Sequence, residues 1–109
     1  MYDQKLNIVV IGAHADDCEL YAGGSVLQFL KKGHKVTFVV MTDGGAGHHQ
    51  LSKEDIVKRR YLETRKVALR LGIEYIVLNN PDGWLEATIE NRKNLITLLR
   101  KIKPDLIIT

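Results

Sequence analysis

The chain alternates between two kinds of hydrophobic pattern. Residues 6–11 form a short, almost unbroken aliphatic run closed by Gly12, the signature of a parallel strand covered on both faces. From residue 19 to 32 the apolar positions Leu20, Val26, Leu27, Phe29 and Leu30 recur near helical spacing, and Gly33 supplies a stop. Gly23 and Gly24 on that helix suggest a close approach of its first turns to the sheet. Residues 35–41 read as a second strand, because Val36, Phe38, Val39 and Val40 are β-branched or aromatic. Residues 42–51, with three glycines and two histidines, are too polar and glycine-rich for a regular element and form a loop.

Ser52 followed by Asp55 resembles a capping box, and Gly72 is the matching stop, so a long second helix lies between them. Residues 74–78 form a third strand and 79–83 a turn containing Pro81 and Gly83. A third helix is predicted over 86–103, with Ile89, Ile96, Leu99 and Ile102 on one face. Pro104 ends it, and 106–109 begin a fourth strand. The order β-α-β-α-β-α-β demands a parallel sheet with right-handed crossovers, a Rossmann-like α/β fold with helices on both faces. The fourth strand reads as buried but lacks a following helix to cover it. An incomplete domain, prone to self-associate into a homo-oligomer through that apolar face, is the expectation.

Composition narrows the class. In 109 residues, 45% hydrophobic and 27% charged positions match a globular domain and exclude a disordered chain. A net charge of +3 raises a nucleic-acid partner, but sixteen basic residues are interspersed with thirteen acidic ones. The tightest cluster, Lys58-Arg59-Arg60, reads as a solvated helix face. No nucleic-acid partner is expected. Cys18 is the single cysteine, so no internal disulfide can form, and neither a signal-peptide layout nor a membrane-length apolar run is present. A cytoplasmic setting fits.

Candidate chemistry gathers where the fold would place a ligand. Sites in open α/β sheets lie outside the carboxyl ends of the strands, and there the sequence runs Gly12-Ala13-His14-Ala15-Asp16-Asp17-Cys18-Glu19. One histidine and three carboxylates packed together would repel and lose hydration, which a cation would relieve. His14 and Asp17 suit zinc, leaving Asp16 free to handle a proton. The plain alternative is that His14 and Asp17 cap the following helix. A dinucleotide site is disfavoured, since the G-x-G-x-x-G fingerprint is absent and two acids would repel a pyrophosphate.

These residues carry a resemblance. Ala13-His14-Ala15-Asp16-Asp17-Cys18-Glu19 is similar to the A-H-P-D-D-x-E motif of the LmbE-like (PIG-L) zinc-dependent de-N-acetylases. Gly23-Gly24, Thr42-Asp43-Gly44-Gly45-Ala46-Gly47, Arg60-x-x-Glu63 before Leu71-Gly72, and Pro81-Asp82-Gly83 follow in the family's order. The departure is Ala15 in place of proline, which loosens the loop without removing any chemistry.

The resemblance implies that residues 1–109 are the N-terminal part of a single α/β deacetylase domain. It further implies that His14 and Asp17 bind zinc, that Asp16 is the general base, and that Arg60 and Asp82 contact the substrate. The third zinc ligand, a histidine in the family, would lie beyond Thr109. The expected activity is hydrolysis of an N-acetyl group from an amino sugar or sugar conjugate, giving acetate and a free amine. The rival is a non-catalytic or truncated module that binds a ligand or partner chain.

Other residues are more ambiguous. His48 and His49 lie in the glycine-rich loop and are solvated or ligands, His34 is a turn residue, and Cys18 beside acids reads as a packed small residue. Arg60 and Glu63 could form an intrahelical ion pair. Trp84 could line a sugar site or cover the sheet end.

Overall fold

The computed structural model describes residues 4–46 and 50–109. The strands are β1 (Asn7–Gly12), β2 (Lys35–Thr42), β3 (Glu74–Asn80) and β4 (Leu106–Ile108), and the helices between them are α1 (Asp17–Lys31), α2 (Lys53–Leu71) and α3 (Ile89–Ile102). All pairings are parallel, in the order β3-β2-β1-β4. This is the expected Rossmann-like α/β sheet. The first two crossovers step in one direction and the third returns past β1 to the other side, so right-handed connections put α1 and α2 on one face and α3 on the other.

The side chains follow that division. Ile8, Val10, Val36, Phe38, Val40 and Tyr75 point to one face and pack with Cys18, Ala22 and Val26 of α1, joined by Val67, Ala68 and Leu71 of α2. Phe38 and Tyr75 meet edge to face, ring centroids 5.4 Å apart, across the β2–β3 pair. Every β2 residue from Val36 to Val40 is buried, as both faces of a central parallel strand must be.

The helix ends follow their signals. Ser52 caps α2 by accepting from the Asp55 amide at 3.2 Å, and Gly72 ends it in the left-handed conformation (φ 67°). His34 is structural: its Nδ1 accepts from the Leu6 amide at 3.0 Å.

Four expectations need correction. Gly23 and Gly24 face away from the sheet, with nothing within 4 Å of a built Cβ, because α1 buries Cys18, Ala22 and Val26, spaced four apart, instead. Helix α3 starts at Ile89 rather than 86, since Thr88 takes the cap position and accepts from the Asn91 amide at 3.1 Å. Its half-buried stripe runs through Leu95, Leu98, Leu99 and Ile102, so Ile89 and Ile96 stay exposed. Strand β3 continues to Asn80 through a bulge, where the Asn80 side chain donates to the Met41 carbonyl at 2.9 Å and so substitutes for a regular ladder contact.

Candidate functional site

The carboxyl ends of β1, β2 and β3 bring three loops together. The β2 loop is fixed to the β1 loop by Thr42, whose amide and hydroxyl both donate to the Ala13 carbonyl, at 3.0 and 2.9 Å. The β3 turn is fixed to the β2 loop by Asp43, whose Oδ1 accepts from the amides of Gly45 (2.9 Å) and Asp82 (3.1 Å). Sequence reasoning assigned no role to Thr42 or Asp43 individually. Their signal is the strand-end Thr-Asp followed by glycines, the pattern of a side chain that bonds backbone two residues on.

Asp17 opens α1 yet does not cap it. Its Oδ2 turns back and accepts from the amides of Ala13 (3.0 Å) and His14 (2.9 Å), which curls the loop and leaves the carboxylate facing the His14 ring. His14 Nδ1 stands 3.8 Å from that oxygen. Gly12 permits the curl, since a Cβ there would lie 2.7 Å from the Asp17 Cβ. The capping alternative therefore fails for Asp17; the residue at the cap position is Asp16, which makes no side-chain cap bond.

Asp16 is exposed and sits in the left-handed region, φ 85°. Such a backbone costs a non-glycine residue about 1–3 kcal/mol and persists only where its surroundings impose it. Two contacts flank it. Tyr75 Oη accepts from the Asp16 amide at 3.4 Å and donates to Glu19 Oε1 at 2.8 Å, and Arg60 Nη1 donates to the Ala15 carbonyl at 3.4 Å. Burial, and then the Glu19 carboxylate, push the Tyr75 phenol well above its ordinary value, so the hydroxyl stays a donor. Tyr75 was not anticipated as a site residue, and Glu19 was read only as one carboxylate of the loop motif. The available signal was a lone tyrosine in an aliphatic strand.

Arg60 reaches the β1 loop because Glu63 pairs elsewhere, with Arg59 Nε at 3.5 Å. The Arg60 side chain crosses Gly44 (φ 71°), where a Cβ would lie 2.6 Å from the Arg60 Cδ. It lines an open cleft of about 690 Å³ together with Ala15, Thr42, Asp43, Lys53 and Thr64.

Asp82 is buried, with Oδ1 2.7 Å from His14 Nε2 and Oδ2 accepting from the Ala46 amide at 3.1 Å. Burial alone would raise its carboxyl. Hydrogen bonds from His14 and from the Ala46 amide, with the Arg60 guanidinium nearby, outweigh burial and hold it below the ordinary value.

Cys18 is packed, its thiol directed at the Val10 and Val39 carbonyls and pushed up to about 12 by burial and then by Glu19. It is no thiolate ligand. Trp84 is 77% exposed and covers nothing at the sheet end. His48 and His49 lie outside the described residues.

The donor set of His14 and Asp17 fits zinc in kind and in spacing. Two ligands bonded at about 2.0–2.2 Å to a tetrahedral ion stand roughly 3.4 Å apart, close to the 3.8 Å between His14 Nδ1 and Asp17 Oδ2. Among the described residues, no set of three His, Cys, Asp or Glu side chains forms a metal site.

The model of the PIG-L family, GlcNAc-PI de-N-acetylase, matches residues 9–109. Diacetylchitobiose deacetylase from Thermococcus kodakarensis is 31% identical over 98% of this chain and 41% of its own length. The uncharacterized deacetylase YaiS from Escherichia coli is 36% identical over 83% of this chain and 52% of its own. The solved structure of N,N'-diacetylchitobiose deacetylase from Pyrococcus horikoshii, complexed with its inhibitor MPG, superposes with a TM-score of 0.85 at 34% identity, covering 92% of this chain and 39% of that one. The chain thus spans about two fifths to one half of the length of these relatives.

Proposed function

The chain belongs to the GlcNAc-PI de-N-acetylase (PIG-L) family, and on that premise we propose that it carries the catalytic loop of a zinc-dependent hydrolase that removes the N-acetyl group from an amino sugar or sugar conjugate. The observation that carries this reading is the β1 loop itself. His14 Nδ1 and Asp17 Oδ2 face each other at 3.8 Å, and Asp16 between them in sequence is exposed and held in a left-handed backbone.

His14 and Asp17 would hold the ion, with the third protein ligand contributed from beyond Thr109. When bound, zinc supplies a Lewis acid for the amide carbonyl and lowers the pKa of a bound water towards about 7. Asp16 takes the proton of the attacking water and returns it to the departing nitrogen, so that water and the N-acetyl amide become acetate and a free amine. Two backbone amides donate to Asp17 Oδ2 and hold its carboxylate towards the His14 ring. Arg60, on the wall of the open cleft, offers its guanidinium to polar groups of the sugar conjugate.

Zinc titration of the chain, coupled to an assay of acetate release from N-acetylglucosamine derivatives, tests the reading. Residues 1–109 alone are expected to bind zinc weakly and to release no acetate, because a catalytic zinc takes three protein ligands. A chain that includes the third ligand is expected to bind one zinc and turn over. Binding of zinc without turnover in the longer chain would favour a non-catalytic binding module instead. No helix among the described residues is long and apolar enough to cross a membrane.

A further inference from the structure

A histidine can hand only one lone pair to a cation, and which nitrogen offers it depends on where the ring carries its proton. In this site the two ring nitrogens face different partners. Nδ1 looks towards Asp17 Oδ2 at 3.8 Å, and Nε2 lies 2.7 Å from Asp82 Oδ1. A carboxylate only accepts, so the short contact requires a proton on Nε2. A neutral ring protonated there presents Nδ1 as a bare lone pair on the Asp17 side.

We propose that Asp82 is a positioning residue for His14: it holds the proton on Nε2 and fixes the ring so that Nδ1 faces the Asp17 side with its lone pair free. The inference rests on the reading of His14 as a zinc ligand and deepens it. It also gives Asp82 a different role from direct contact with the substrate. Asp82 is 8% exposed and both of its oxygens are engaged, Oδ2 by the Ala46 amide at 3.1 Å. Its own backbone is pinned in turn, the amide donating to Asp43 Oδ1 at 3.1 Å. The carboxylate therefore reaches His14 from a turn that the second loop has already locked, 68 residues away in sequence. Metal-bound histidines commonly hand their second N–H to a carboxylate, and loss of such a partner costs about 10–100-fold in metal affinity.

The isosteric change Asp82→Asn separates the alternatives because an amide cannot satisfy both neighbours. If its oxygen takes the Ala46 amide, its NH2 faces Nε2, which must then accept, and the proton moves to Nδ1. If its oxygen takes Nε2, the NH2 faces the Ala46 N–H. The experiment is nitrogen-15 histidine NMR of the full chain without metal, paired with titration by zinc alone, on wild type and Asp82→Asn, with thermal melting as the check on folding.

The expected results are a His14 proton on Nε2 in wild type, a shift of that proton to Nδ1 in the variant, and zinc affinity lower by about 10–100-fold. If Asp82→Asn does not fold, the wild-type spectrum still decides: a neutral His14 protonated on Nδ1 overturns the proposal. A folded variant that keeps the proton on Nε2 with unchanged zinc affinity also overturns it. If a chain that includes the third ligand binds no zinc yet the proton moves as described, the positioning role stands and the zinc reading falls.

Discussion

The two flanks of β1 are built differently. On one side, β1 and β2 pair over six residues, and Val36, Thr37, Phe38, Val39 and Val40 are buried without exception. On the other, β4 pairs with β1 over three residues, and Leu106 and Ile107 remain 39% and 45% exposed. The helices differ in the same way, since α1 buries Cys18, Ala22 and Val26 whereas α3 has no buried residue at all. Both flanks are aliphatic. What separates them is cover on both faces, which turns an apolar run into a core, and the three-loop site stands on the covered flank.

The largest expected effect lies at the site itself. In a longer chain that includes the third ligand and turns over as proposed, Asp16→Asn should lower acetate release by roughly two to four orders of magnitude while metal content stays nearly intact, the usual contribution of a general base. Asp17→Asn should instead lose metal, measured by zinc analysis after dialysis. Near wild-type turnover of zinc-loaded Asp16→Asn would assign the proton transfer to another residue.

The flanks should diverge in stability. Phe38→Ala removes a fully buried ring and should cost about 3–5 kcal/mol in urea unfolding. Ile107→Ala on the open flank should cost less than about 1 kcal/mol. Equal losses would break the contrast and would mean that β4 is covered in solution.

Backbone strain in the second loop should be felt next. At Gly44, a methyl group meets both the left-handed backbone and the Arg60 Cδ. Gly44→Ala is expected to destabilise by about 1–2 kcal/mol and to loosen Arg60 from the Ala15 carbonyl. Unchanged melting would show that the loop adapts. The smallest effect is a null one: Cys18, 2% exposed, should resist thiol reagents at pH 8 until the chain unfolds, and ready labelling of the native protein would mean that the covered flank opens.

Much of the architecture was legible from local pattern. The Ser52 cap, the Gly72 stop and the aliphatic runs of β1 and β2 are decided by residues close in sequence, and the structure reproduces them. The curl of the β1 loop is equally local, since Asp17 and His14 are three residues apart, but the sequence reading offered only ligation or capping for them. Legibility failed where a local signal had two solutions. Gly23 and Gly24 could face the sheet or turn from it, and the four-residue spacing of Cys18, Ala22 and Val26 decided for the second. Asn79 and Asn80 read as a turn, but Asn80 could also bond the Met41 carbonyl and extend β3.

The sequence by itself therefore determined the order of elements, the parallel sheet and the placement of His14, Asp16 and Asp17 at a strand's carboxyl end, because strand periodicity, caps and short loops are properties of neighbours along the chain. Tertiary structure alone decided that Asp82 meets His14, that Tyr75 reaches Asp16 and Glu19, and that Arg60 bonds Ala15, pairs separated by 45 to 68 residues. No local pattern encodes such contacts. They exist because parallel strand order sets three loops side by side, and Thr42, donating to the Ala13 carbonyl, and Asp43, accepting from the Asp82 amide, then satisfy backbone groups that would otherwise be left without partners.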